Sequence, residues 1–360
     1  MKTARHPALG KALRIFLTIV LLAASAIALY AYDNLSYQDR LMDHVWQAGY
    51  AEAQVTLPNG TVLNYGEGGP QDAPALLMLH GQQVEWTDYA RVLPQLAKQY
   101  HVYAIDCHGH GKSSHDAARY TCAAMTEDFV WFIRNVIGGP CLLTGHSSGG
   151  VLAANIAATA PELARGLLIE DAPFYCFQPD EMRARSAFVL ADSFEVIHRF
   201  LNQSEEKSFT AYYFENGYLW PLFGGLSAQL AADARAQELA RPDQPVQLWY
   251  MPASMMNAVY HTCRYDLAFG EAFYDGSWFD GLSEDALLSA IQCPTVYLKA
   301  KTVVDAAGTL LCANTVEDAQ RVTELIAGCE RVTLESNEHD IHFVNPDAFL
   351  DGMSRLASRL

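Results

Sequence analysis

Short apolar segments alternate with longer helical patterns over two parts of the chain. The apolar segments have the length of strands covered on both faces, and turn residues bound them. The predicted strands are residues 53–57, 61–67, 75–79, 101–105, 141–144, 166–169, 294–298 and 331–334. Helical patterns are predicted at residues 89–99, 126–137, 151–160, 315–327 and 346–358. Because strands that alternate with helices form parallel sheets, the pattern predicts a mostly parallel, doubly wound α/β fold.

A middle region lacks this alternation and is rich in aromatic residues. Helical patterns are predicted there at residues 180–202, 205–215 and 226–240. Its aromatic residues include Phe174, Tyr175, Phe177, Tyr212, Tyr213, Phe214, Tyr218, Trp220, Trp249 and Tyr250. We therefore divide the chain into an α/β core at 33–172 and 286–360 and a helical insertion at 173–285.

The N-terminal segment, residues 1–32, has the pattern of a membrane helix. An uncharged apolar run at residues 15–32 is preceded by basic residues and followed by acidic ones. The basic residues are Lys2, Arg5, Lys11 and Arg14, and the acidic ones are Asp33, Asp39 and Asp43. This asymmetry predicts an N-terminus inside the cell and the remainder of the chain outside it. A signal peptide cut near residues 24–26 is the alternative, but we favour an uncleaved anchor because apolar residues continue to Tyr32.

The composition excludes some classes of function and of site. A net charge of −17 provides no basic surface for nucleic acid. Eight cysteines could pair outside the cell, although Cys141 and Cys293 begin predicted buried strands, and no pairing follows from their spacing. His108 and His110 have no third ligand at a metal-binding spacing, so we expect a glycine-stiffened loop there and no metal.

The sequence Gly145-His146-Ser147-Ser148-Gly149 lies between a predicted strand and a predicted helix. A nucleophilic serine on a sharp strand–turn–helix elbow has this pattern, with glycines where a Cβ would clash. The five-residue pattern alone occurs by chance in roughly one of ten chains of this length. Its position after a buried strand makes Ser147 the candidate nucleophile.

Other candidate residues follow the ends of strands, where ligands bind in parallel sheets. Gln82 follows the strand at 75–79, and its backbone N–H could form an oxyanion hole with that of Ser148. His339 follows the last strand and is the candidate base, because a serine needs a neighbouring base. His342 competes with it for this role.

The acid that would orient the base is left open among three residues. Asp305 is favoured, because Ser147, Asp305 and His339 then follow the chain order nucleophile, acid, base. Asp171 and Glu170, at the end of the strand at 166–169, are the alternatives.

These motifs together resemble the alpha/beta-hydrolase superfamily over residues 53–172 and 286–358. The resemblance rests on Leu79-His80-Gly81-Gln82, Asp106-x-His-Gly-x-Gly-x-Ser, Gly145-His146-Ser147-Ser148-Gly149-Gly150, and His339-x-x-His342 with Pro346. It implies that His339 rather than His342 is the base, that residues 173–285 form a helical cap, and that no cofactor is needed. The acid departs from the family pattern, since Asp305 lies one or two residues too far along and Lys299-Ala300-Lys301 lacks the usual Gly-x-x-Asp.

The sequence therefore predicts a serine hydrolase that cleaves an ester or related acyl bond of a small-molecule substrate. An elbow serine instead of aspartate argues against epoxide hydrolase and haloalkane dehalogenase chemistry. An amidase or peptidase, a lactonase and a carbon–carbon bond hydrolase are the alternatives on the same fold. A ligand-binding protein without turnover is the alternative outside enzymes.

Overall fold

The computed structural model describes residues 7–176, 189–218, 220–306, 308 and 310–360. Three features of the sequence analysis lie outside this range: Lys2 and Arg5, Phe177, and the first part of the helix predicted at 180–202. In the described part of the chain, eight strands form one sheet with the order β1-β2-β4-β3-β5-β6-β7-β8. The strands are β1 (Ala51–Thr56), β2 (Val62–Gly68), β3 (Ala75–Leu79), β4 (His101–Ile105), β5 (Cys141–His146), β6 (Ala164–Glu170), β7 (Thr295–Lys299) and β8 (Glu330–Thr333).

The sheet is parallel except at one edge. β1 pairs antiparallel with β2, and β2 with β4, whereas β4, β3, β5, β6, β7 and β8 run parallel. Gly145 pairs with both Leu79 and Ile169, so β5 lies between β3 and β6. The predicted mostly parallel α/β fold is confirmed, and the carboxyl ends of β3, β5, β6 and β7 meet at one sheet edge.

Helices cover both faces of this sheet. The core helices are α3 (Leu93–Leu96), α4 (Cys122–Phe132), α5 (Ser148–Thr159), α11 (Glu284–Ala290), α12 (Val316–Leu325), α13 (Ile341–Val344) and α14 (Pro346–Ala357). The single helix predicted at 89–99 is instead a 3-10 turn, Trp86–Arg91, followed by the one-turn α3. Pro94 has no backbone N–H for continuing the first turn and suits the start of a new helix.

The helical insertion has an apolar core of its own. Its described helices are α6 (Val189–Leu201), α7 (Phe209–Asn216), α8 (Gly225–Ala240), α9 (Ala253–Tyr260) and α10 (Leu267–Asp275). Phe214 and Trp220 are buried among aliphatic side chains of α8, α9 and the segment before α9. We call this region the cap, and its exact boundaries stay a prediction.

Two helices precede the sheet, α1 (Pro7–Leu35) and α2 (Tyr37–Gln47). Residues 11–35 of α1 are long and apolar enough to cross a membrane, and none of the span is buried in the protein. By contrast, α2 packs on the core through Val45 and through Trp46, whose ring lies 5.7 Å from that of Trp86. No disulfide joins the cysteines in the described part of the chain.

Candidate active site

Ser147 lies on a strained turn between β5 and α5. Its φ of 53° and ψ of −123° are rare for a residue with a side chain. The turn requires its glycines, because a Cβ on Gly145 would lie 2.1 Å from the Gly149 carbonyl oxygen. A Cβ on Gly149 would lie 2.2 Å from the carbonyl oxygen of Leu79 in β3. The close approach of α5 to the neighbouring strand therefore holds Ser147 at the carboxyl edge of the sheet.

The loop after β3 lies directly against this turn. A Cβ on Gly81 would lie 2.8 Å from His146 Nδ1 and 3.1 Å from the Ser147 Cβ, so a larger residue here would displace the elbow side chains. His80 fixes the loop: its Nε2 accepts from the Cys107 N–H at 2.9 Å, so its Nδ1 donates to the Gly81 carbonyl at 2.7 Å. The adjacent residue, Gln82, binds the cap through its Oε1, which accepts from the Tyr265 hydroxyl at 2.7 Å.

The partly buried His339 forms a hydrogen-bonded pair with the buried Asp171. The Nδ1 of His339 lies 2.8 Å from Asp171 Oδ2, at the end of β6. Asp171 is fully buried, and its other oxygen accepts from the Ala300 N–H at 2.9 Å. The ammonium group of Lys299, which is also buried, lies 4.0 Å from that second oxygen. The backbone after β7 thus supports a carboxylate that belongs to β6.

This geometry corrects the preference for Asp305. The Nδ1 position of His339 is occupied by Asp171, which the sequence left open as an alternative, while the Asp305 carboxylate accepts from the Tyr218 hydroxyl of the cap. The physical reason lies at the end of β7. There the Ala300 N–H and the Lys299 ammonium group contact Asp171 and stabilise its carboxylate next to His339. The missing Gly-x-x-Asp pattern was the signal for this difference.

The protonation of His339 is set by competing influences. Burial disfavours the imidazolium, but the hydrogen bond and charge of Asp171, with the charges of Asp340 and Glu170, raise the pKa of His339 above its usual value. The Nε2 of His339 is buried without a hydrogen-bond partner among the described residues. Next to it, burial lowers the pKa of His146 to about 3, so that ring stays neutral. His339 therefore has one nitrogen held by a carboxylate and one available for another proton carrier.

His342 is excluded as a base because both of its ring nitrogens are occupied. Its Nδ1 lies 2.8 Å from Glu170 Oε1, and its Nε2 lies 2.9 Å from Asp88 Oδ2. Although burial opposes the charge, the two carboxylates raise the pKa of His342 to about 10, so the ring is an imidazolium. The Glu170 carbonyl also accepts from the Ser147 N–H at 2.9 Å. The buried cluster of Glu170, His342 and Asp88 thus lies directly behind the serine turn.

This cluster extends to α2. Asp88 Oδ1 accepts from the Asn257 amide of α9 at 2.9 Å, and Asn257 Oδ1 accepts from the Gln38 amide of α2 at 2.8 Å. Neither Asp88 nor Lys299 carried a signal in the sequence, because their partners are distant along the chain.

Metal binding is a further chemistry to test against the donors present. Two groups of three possible ligands occur in the described part of the chain: Asp88, His146 and His342, and His146, His339 and Asp340. In the first, His342 and Asp88 already bond each other, and in the second, His339 already bonds Asp171. His108 and His110 belong to neither group; His108 instead lies 2.8 Å from Asp128. Because His342 and His339 are already bonded to carboxylates, their donors favour hydrogen bonding over metal binding.

Comparisons with known proteins agree with this architecture. A model of the alpha/beta hydrolase family matches residues 76–351. A human serine hydrolase-like protein is 31% identical over 136 residues, which are 37% of this chain and 66% of that protein, just under two thirds of its length.

Two solved structures share the fold. A membrane phospholipase A, described as a bacterial virulence factor, has a TM-score of 0.62 at 22% identity and covers 96% of this chain and 99% of its own. An enol-lactonase from Burkholderia xenovorans LB400 has a TM-score of 0.56 at 17% identity, covering 85% and 100%. Identities this low show the fold alone.

The buried imidazolium of His342 makes stability depend on pH. Its pKa of about 10 exceeds its usual 6.5, so its stabilisation is complete below pH 6.5 and is lost as pH rises toward 10. Between pH 7 and 9 the wild-type free energy of unfolding should fall by about 1.4 kcal/mol per pH unit more steeply than that of His342→Gln. Denaturant unfolding of the full chain in detergent micelles measures both slopes. Equal slopes would contradict the charged assignment.

Proposed function

Because the chain belongs to the alpha/beta hydrolase family and is a hydrolase, we propose that it is a serine hydrolase that cleaves ester or related acyl bonds through an acyl-enzyme intermediate. One observation carries the proposal: the His339 ring lies 4.5 Å from that of His146, the residue before Ser147, with Asp171 on its Nδ1 and an available Nε2. A serine is a weak nucleophile and needs such a base.

The reaction proceeds in two halves. In the first, Ser147 Oγ attacks the acyl carbonyl carbon while His339 Nε2 takes the hydroxyl proton, and the imidazolium then protonates the departing alkoxide. In the second, His339 takes a proton from water, the hydroxide attacks the acyl carbon, and the proton returns to Ser147 as the carboxylic acid leaves. Asp171 stays ionised throughout and holds the imidazole tautomer.

Two backbone N–H groups would stabilise the oxyanion. Ser148 is the first residue of α5, and the first N–H groups of a helix have no partner within it. Gln82 follows Gly81, whose backbone lies against Ser147. Donors of this kind contribute about 3 kcal/mol each in the transition state.

We also propose that α1 anchors the enzyme in a membrane, with the catalytic part outside the cytoplasm. No residue of the span at 11–35 is buried, and residues 11–30 are all exposed, as a lipid-facing helix should be. Its last turn is hydrogen-bonded to the cap: the Asn34 amide donates to the Trp249 carbonyl at 2.9 Å. Because Asn34 lies beyond a cut near residues 24–26, this contact is present with or without cleavage, and the preference for an uncleaved anchor rests on the apolar run that continues to Tyr32.

Substitution of Ser147 and of the candidate acids Asp171 and Asp305 tests the catalytic assignment. Ser147→Ala should lose fluorophosphonate labelling and lower ester turnover by about 10⁶. Asp171→Asn should lower kcat by about 10⁴, because the imidazole loses its tautomer control, while Asp305→Asn changes it by less than about threefold. Steady-state kinetics with a chromogenic acyl ester measure all three. Undiminished turnover in Ser147→Ala, or the larger loss in Asp305→Asn, would overturn the assignment.

The buried Lys299 gives a separate prediction about pH. Removing its cation leaves the surroundings of His339 more negative, which favours the imidazolium, so the acidic limb of kcat/KM in Lys299→Met should move to higher pH by roughly one unit. Lys301 is exposed two residues further on, and Lys301→Met is the matched control. A profile of kcat/KM against pH for each variant measures the position of the acidic limb. An unmoved limb in Lys299→Met would show that this lysine has no electrostatic effect on the base.

A further inference from the structure

Hydrogen bonds join the end of the anchor helix α1 to one loop of the cap. We call residues 247–252 the cap loop. The Asn34 side chain bonds the cap loop and the first residue after it, donating to the Trp249 carbonyl at 2.9 Å and accepting from the Ala253 N–H at 3.2 Å. The Gln247 amide donates to the Leu35 carbonyl at 3.2 Å. The cap loop therefore has a fixed position relative to the anchor.

The length of the anchor places this junction at the membrane surface. A hydrocarbon core about 30 Å thick takes about 20 helical residues. Such a stretch ends near Ala31 if it begins after Lys11, and near Asn34 if it begins after Arg14. In either case Asn34, and with it the cap loop, lies at the boundary between hydrocarbon and headgroups.

The cap loop presents an aromatic side chain at this boundary. Leu248 and Met251 are buried in the core of the cap, whereas Trp249 between them is 44% exposed. Tyr30, on the facing turn of α1, is equally exposed, and its hydroxyl lies 3.5 Å from the Tyr250 carbonyl. Exposed tryptophan and tyrosine side chains at this depth are typical of the membrane interface.

The same part of the cap leads directly to the active site. α9 begins at the end of the cap loop and is eight residues long, about 12 Å. After it, the Arg264 guanidinium bonds Glu85 at 2.7 Å and the Tyr265 hydroxyl bonds Gln82 at 2.7 Å. One helix and one turn thus separate the membrane boundary from the loop of the proposed oxyanion hole.

We propose that the cap loop rests in the headgroup layer of the bilayer through Trp249 and that the enzyme takes acyl esters of membrane-resident lipids as its substrates. The proposal rests on the serine hydrolase function proposed above. A lipid in the headgroup layer is then separated from the loop beside Ser147 by α9 and the turn that follows it. Water-soluble esters reach the same serine without this contact.

Fluorescence tests the contact without turnover. The full chain is reconstituted in phosphatidylcholine vesicles with and without brominated acyl chains, which quench tryptophans at the interface. We expect clear quenching in the wild type and a smaller quenched fraction in Trp249→Phe. Equal quenching in the two proteins would overturn the contact.

Kinetics in the same vesicles test whether the contact of Trp249 with the bilayer promotes lipid hydrolysis. In Trp249→Ser, hydrolysis of a long-chain phospholipid in the vesicles should fall about fivefold, as expected for losing part of an aromatic side chain's burial, while hydrolysis of a soluble butyrate ester is unchanged. Leu360→Ser is the matched control. Leu360 is also exposed and apolar, but it lies beside Gly166 at the sheet edge opposite Ser147, so its substitution should change neither rate.

The outcomes separate this inference from the proposed function. An equal loss on both substrates in Trp249→Ser would assign Trp249 to cap packing and overturn the inference. A wild type that quenches but hydrolyses neither substrate would overturn the serine hydrolase and keep the membrane contact.

Discussion

The hydrogen bond between His339 and Asp171 is the interaction on which the site depends. It joins the segment after β8 to the end of β6, although 168 residues separate the two along the chain. Because Asp171 is fully buried, its charge must be compensated, and the Ala300 N–H and the Lys299 ammonium do this from β7. Three parallel strands therefore cooperate to hold one imidazole in one orientation.

A second set of buried charges lies behind the serine. Glu170, His342 and Asp88 form an almost solvent-free carboxylate–imidazolium–carboxylate arrangement, and the Glu170 backbone fixes the Ser147 N–H. Breaking one member of such a cluster leaves an uncompensated buried charge, which costs about 3–5 kcal/mol. The cluster also extends through Asn257 to Gln38, so the core, the cap and α2 share one polar network. The position of α2 is thereby linked to the part of the fold that carries the serine.

Much of this organisation could be predicted from local sequence. Burial of a strand on both faces requires a run of apolar residues, and the tight turn at Ser147 requires flanking glycines. Both patterns fall within a few residues and can be recognised in the sequence. The pairing of His339 with Asp171 leaves no such mark, since it depends on how the end of β7 is filled. The order of residues along the chain favoured Asp305, whereas Lys299 and Ala300 in space favour Asp171. His342 could be set aside as a base only once Glu170 and Asp88 were seen to occupy both of its nitrogens.

In the proposed mechanism the acyl group passes through Ser147. Rapid quenching of the full-length protein with a slowly hydrolysed acyl ester, followed by mass spectrometry of its peptides, measures this directly. We expect an added acyl mass on the peptide that contains Ser147, appearing before the free acid. Steady turnover with no acylated peptide, or with the acyl group on another residue, would contradict it.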